Sequence, residues 1–111
     1  MTVPFATPHA AAPIVFDRTE MNAIFRLYAQ MVSAGVWRDY ALDFLKDAAI
    51  FSVYRKHTEY PLYRIEKRPS LRKRQGAYAV IAPGGLVMRR GHELTQVLRV
   101  LEKKRLRPIG G

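Results

Sequence analysis

The stretch "WRDYALDFLKDAAIFSVYRK", residues 37–56, decides the fold, because two periodicities compete within it. Trp37, Tyr40, Ala41, Phe44 and Leu45 fit one face of a helix, whereas Tyr40, Leu42 and Phe44 alternate with Ala41, Asp43 and Leu45 as a strand requires. Beyond the polar Lys46-Asp47 turn the competition ends. Phe51 and Val53 alternate with Ile50, Ser52 and Tyr54, and the aromatic and β-branched content rises. A β-hairpin accounts for both halves.

Upstream, "FDRTEMNAIFRLYAQMVSAG" carries a full set of helix signals. Asp17 and Glu20 have the spacing of a capping box, and Phe16 and Met21 that of a hydrophobic staple. Met21, Ile24, Phe25, Tyr28, Met31 and Val32 form one apolar stripe, and Gly35 is placed to end the helix in a left-handed conformation. The spacing predicts a helix over residues 18–33. Before it, residues 1–15 read as a flexible arm: a secretory signal would have a basic start and no interrupting prolines.

Downstream, "YPLYRIEK" supplies a third strand, with Tyr63 and Ile65 on one face and Leu62, Arg64 and Glu66 on the other; Pro61 suits a strand end. "AYAVIA" is a fourth strand, "APGG" a turn in which Pro83 fixes the first corner and Gly84 takes positive φ, and "LVMRR" a fifth strand. "GHELTQVLRVLEKK" closes as a helix whose Leu94, Val97, Leu98 and Leu101 share a face. The expected fold is α+β: an N-terminal helix, an antiparallel meander of four to five strands and a C-terminal helix, with both helices packed on one face of the sheet. The domain spans residues 16–105, and residues 106–111 form a tail.

The 111 residues, about half of them apolar, suit one folded domain. No cysteine is present, which excludes disulfides, thiolate metal sites, iron–sulfur clusters and thiol catalysis. No apolar run nears the roughly 18 residues of a membrane span, so a cytoplasmic location is expected. The net charge of +10 is unevenly distributed: residues 1–50 carry four cations against five carboxylates, residues 51–111 fifteen against four. Such an asymmetry speaks about partners, and nucleic acid, an anionic surface and an acidic protein all suit it.

The charge is densest in "EKRPSLRKRQGAY", residues 66–78. Lys67, Arg68, Arg72, Lys73 and Arg74, with Arg64 just before, face the single carboxylate Glu66, and Tyr63 and Tyr78 stand on the adjoining strands. Basic groups contact phosphates and aromatic rings stack on bases, so the combination points to RNA or DNA. Arg89 and Arg90, just before the last helix, join the patch if the two strand ends meet. Four to six such contacts on a duplex imply a log–log salt slope of about −4 to −5. The opposing reading is a solvated connector, with "MRRGH" keeping an edge strand soluble and "KKRLR" at 103–107 complementing a helix C-terminus.

Enzymatic readings find less support. His9, His57 and His92 are scattered, no serine has a nucleophile-elbow context, and "APGG" and "RGH" lack the span of a phosphate loop. Asp39, Asp43 and Asp47 would align on a helix, but along a strand they spread over roughly 26 Å. No catalytic constellation, metal or cofactor is expected. Element order is shared with double-stranded-RNA-binding domains, although the glycine and lysine pattern those place before the last helix is missing. The alternative to a polyanion-binding module is a protein-interaction or assembly subunit, a homodimer formed through a spare sheet edge or through a second apolar face containing Ile50, Leu62, Ala79 and Ile81.

The strings "WRDYALDFL", "FSVYRK", "PLYRIEKRP", "GAYAVIAPGGL" and "RGHELTQVLRVLE" together resemble a small alphaproteobacterial family catalogued only as a domain of unknown function. The resemblance covers roughly residues 16–104. It implies no activity, ligand or catalytic residue.

Overall fold

The structure is a computed structural model that describes residues 12–55 and 60–105. The expected arm as far as residue 11, with His9, the segment 56–59, with His57, and the tail from residue 106 lie outside the described residues. Helix α1 (Arg18–Ser33) is followed by strands β1 (Asp39–Phe44), β2 (Ala49–Tyr54), β3 (Tyr63–Lys67), β4 (Tyr78–Ala82) and β5 (Leu86–Gly91), then helix α2 (Leu94–Arg105). The sheet order is β1-β2-β3-β4-β5, antiparallel throughout. The α+β meander expected from the hydrophobic periods is therefore the observed fold, and residues 37–56 resolve in favour of the hairpin.

Both ends of α1 follow from local chemistry. The Asp17 carboxylate accepts from the Glu20 amide at 2.8 Å and the Asp17 amide donates to Glu20 Oε1 at 2.7 Å, a complete capping box. At the other end Gly35 has φ 77°, its amide donates to the Val32 carbonyl and that of Val36 to Met31, the pairing of a Schellman motif. The buried arc differs from the expected stripe. Leu27 is buried with Ile24 and Met31, whereas Phe25 and Val32 are 38% and 41% exposed. The helix is packed on two sides, by the sheet and by α2, which shifts the buried arc toward Leu27.

One core joins Ile24, Leu27 and Met31 of α1, Leu94, Val97, Leu98 and Leu101 of α2, and Phe51, Val53, Ile65 and Val80 of the sheet. Each such side chain contributes about 1.5–3 kcal/mol on burial. Phe51 stacks on Tyr40 at 4.9 Å and meets the edges of Phe25 and Tyr28, so the outer strand β1 is held to α1 by aromatic contacts. Residues just before the helix are tied down as well. The Ile14 amide donates to the Leu45 carbonyl at 2.8 Å, and Phe16 is buried.

Both helices lie on the face carrying Phe51, Ile65 and Val80, leaving Ser52, Arg64, Glu66, Ala79 and Ile81 on the other. A bulge between Val80 and Ile81 leaves Met88 as the extra residue of β5, so that Arg89 pairs with Val80 and Arg90 with Ala79. Of the expected second apolar face, Ala79 and Ile81 are already buried, and Leu62 packs against the main core.

Candidate functional site

The β3–β4 connection is a folded element with its own hydrogen bonds. The Arg68 amide donates to the Ala77 carbonyl at 2.6 Å, closing its base, and Pro69–Leu71 form a single 3₁₀ turn with proline at its opening, where a missing N–H costs nothing. The Leu71 carbonyl then accepts from the amides of Arg74, Gln75 and Gly76 at 3.1, 3.1 and 2.9 Å. Gly76 has φ 107°, and a Cβ on it would lie 2.2 Å from the Gly91 carbonyl carbon. Only a bare backbone can therefore pass so close to the end of β5. Arg72, Lys73 and Arg74 occupy the exposed tip and make no side-chain hydrogen bond or ion pair among the described residues.

Two residues of the sequence-derived patch are engaged elsewhere. Lys67 and Tyr78, opposite each other on β3 and β4, both point to the helix side and meet Glu20. Lys67 Nζ donates to Glu20 Oε1 at 2.7 Å and to the Val15 carbonyl at 2.9 Å, and the Tyr78 hydroxyl donates to Glu20 Oε2. The Lys67 side chain is 16% exposed and that of Glu20 9%. Burial, followed by the hydrogen bond and charge of Glu20, pushes the Tyr78 hydroxyl well above the ordinary tyrosine value. This carboxylate, already serving the capping box, thus locks α1 to the centre of the sheet. The contacts span 47 and 58 residues of chain, and nothing in the local sequence marks them.

Arg68 and Arg64 lie on the open face, on either side of Glu66. Arg68 Nε donates to Glu66 Oε1 at 3.1 Å, while Arg64 stands 3.9 Å from Oε2. With Glu66 buried, two guanidiniums about one carboxylate leave this strip net positive. Arg90 reaches the loop base, its Nη1 3.5 Å from the Gly76 carbonyl, at the limit of a hydrogen bond. Arg89, opposite Val80, is exposed on the helix side of β5, the face away from Arg90. The end of β5 and the loop do meet, so Arg68, Arg72, Lys73, Arg74, Arg89 and Arg90 share one end of the sheet. Tyr63 does not belong with them. It opens β3, some 13 Å of strand away from the loop, where it packs against the core.

The N-terminus of α2 has a different electrostatic character. A cleft of about 330 Å³ beside it is lined by Asp17, Glu20, Tyr78, His92 and Glu93. Three carboxylates face that helix end, so its amides offer an anion little, unlike the loop. Among the described residues no helix is long and apolar enough to cross a membrane.

Two helices on one side of a five-stranded meander, with a self-supporting cationic loop at one end, define a small α+β domain. The chain belongs to the family described as "Protein of unknown function (DUF2794)", whose model matches residues 14–98. That span takes in the capping box, the whole sheet, the loop and the first turn of α2. No curated protein and no solved structure matches the chain.

Proposed function

We propose that this domain is a non-enzymatic module that holds a polyanion, RNA or DNA, on the sheet end bearing the 68–77 loop, and from that ligand class we infer a cytoplasmic location. The supporting observation is the tip itself: Arg72, Lys73 and Arg74 project from a backbone fixed by its own hydrogen bonds, with no carboxylate neutralising them among the described residues. A loop ordered before binding does not lose that entropy on contact. Arg68 and Arg90, both on the open face, widen the surface to five cations, while Arg89, opposite Val80, points to the helix side. Each phosphate neutralised changes the log–log salt slope by about 0.9 on duplex and 0.7 on single strands.

The test is fluorescence anisotropy with labelled oligonucleotides across a salt series, comparing the natural protein with R72Q/K73Q/R74Q. Binding should weaken, and the slope should flatten by about 2 to 3. An unchanged slope would make the loop a connector.

A second reading has one observation in its favour. Leu86 and Val87 are 66% and 45% exposed on the outer strand β5, a pairing edge for a second copy. Sedimentation equilibrium decides it, since a monomer at all concentrations removes self-association.

A further inference from the structure

The two outer strands of the sheet, β1 and β5, carry opposite charges. Asp39 and Asp43 are exposed on β1, whose residues 39–44 include no cation, whereas Arg89 and Arg90 stand on β5, whose residues 86–91 include no carboxylate. Each edge also shows apolar surface: Tyr40 is 41% exposed on β1, and Leu86 and Val87 are more exposed still on β5. The Leu45 amide donates to the Ala48 carbonyl, so the alternation of an antiparallel ladder turns the Tyr40 amide outward, away from β2. There it donates to the carboxylate of its own neighbour, Asp39, at 2.9 Å, in place of a strand.

The charges discriminate among the ways two copies can join edges. β5 against a second β5 gathers four arginines on one seam, and β1 against a second β1 gathers four aspartates. β5 against the β1 of another copy sets arginine beside aspartate. Direction and faces match as well. In a five-stranded antiparallel meander β1 and β5 run the same way, so copies aligned side by side meet in a parallel joint. Leu86 and Tyr40 both lie on the helix side. With Leu86 beside Tyr40 of the next copy, and Met88 set apart by its bulge, Val87 falls beside Ala41 and Arg90 beside Asp43 on the open face. We infer that this domain assembles head to tail with further copies of itself, β5 of each pairing with β1 of the next. Such a joint does not close on itself, so copies add in an open row. Every basic loop then stands at the same end of one continuous sheet, about 24 Å from the next for five strands, with the three cations of its tip uncommitted. The inference rests on the second reading, self-association through β5, and adds the surface that β5 meets and the open symmetry.

Sedimentation velocity over a concentration series compares the natural protein with D43R, R90E and their equimolar mixture. The natural protein should grow past dimer as concentration rises. Each variant alone sets like charges on the seam and should associate about tenfold more weakly, whereas the mixture, whose mixed seams pair opposite charges, should recover the natural behaviour. The chain has no cysteine, so A41C and V87C supply a second readout. Mixed and oxidised with copper phenanthroline, they should cross-link to each other, and neither should cross-link to itself. A natural protein that stops at dimer, with V87C cross-linking to itself, overturns the head-to-tail joint and leaves self-association through β5 standing. So does D43R that associates as the natural protein does, or a mixture that fails to recover. A monomer at every concentration removes both.

Discussion

Lys67 and Arg72 are five residues apart in one basic run and carry the same charge, yet they have opposite fates. Lys67 is turned inward to Glu20 and helps hold a helix on the sheet. Arg72, with Lys73 and Arg74, stands on the loop tip without a counter-charge among the described residues. Where the chain is a strand, the alternation of its side chains and the carboxylates opposite decide what each cation does. Where it turns away from the sheet, Arg72, Lys73 and Arg74 form no ion pair among the described residues, and the charge faces solvent. A basic run is therefore not one surface: Lys67 consolidates the fold, whereas the loop tip faces solvent.

The contrast can be broken most severely at its inner side. Glu20→Ala removes the partner of both Lys67 and Tyr78 together with half of the capping box, and should cost about 3 kcal/mol in urea unfolding. Gly76→Ala should cost about 2 kcal/mol, because it combines a positive φ with a clash against Gly91, and the tip should shift enough to weaken oligonucleotide binding. Lys67→Met, which retains the apolar stem, should lose about 1.5 kcal/mol, the worth of a charge-assisted hydrogen bond, while leaving the salt slope of binding unchanged. R72Q/K73Q/R74Q should move stability by less than about 0.5 kcal/mol while changing that slope. Equal destabilisation by Lys67→Met and the triple variant would erase the distinction.

Alkali sharpens the same contrast. The folded state holds the Tyr78 proton more tightly than the unfolded chain does, so its contribution is complete below about pH 10 and is lost as the pH climbs above that value. Tyr28 shifts in the same direction, through burial and then the charges of Asp39 and Tyr40. Urea midpoints measured at pH 9 and pH 11 should therefore fall, and Tyr78→Phe should remove most, but not all, of that fall.

What could be read in advance was local. The capping box, the Gly35 stop, the Lys46-Asp47 turn, positive φ at Gly84 and the α2 stripe each involve residues within a few positions of one another, and each is present. The α1 stripe differs from the buried arc at Val32 and Leu27, because hydropathy identifies an apolar arc but not which two neighbours will flank it. The engagement of Lys67 and Tyr78 by Glu20 depends on a helix laid back over strands far along the chain, and no local pattern records it. Tyr63 is a different matter. Strand direction alone puts the start of β3 at the opposite end from the loop that follows it, so the separation was legible in the sequence.

In the sheet each strand pairs only with the strands next to it in the chain. In kinetic terms the sheet can zip up hairpin by hairpin, each step closing a short loop, and such low contact order favours rapid folding. The helices are the exception: α1 and α2 are the first and last elements, and they pack against each other. Their docking, with Glu20 reaching Lys67 and Tyr78, closes the longest loop in the domain. The slow step of folding should thus be sealing the two ends over a sheet that has already formed, leaving the basic loop among the earlier parts to take shape.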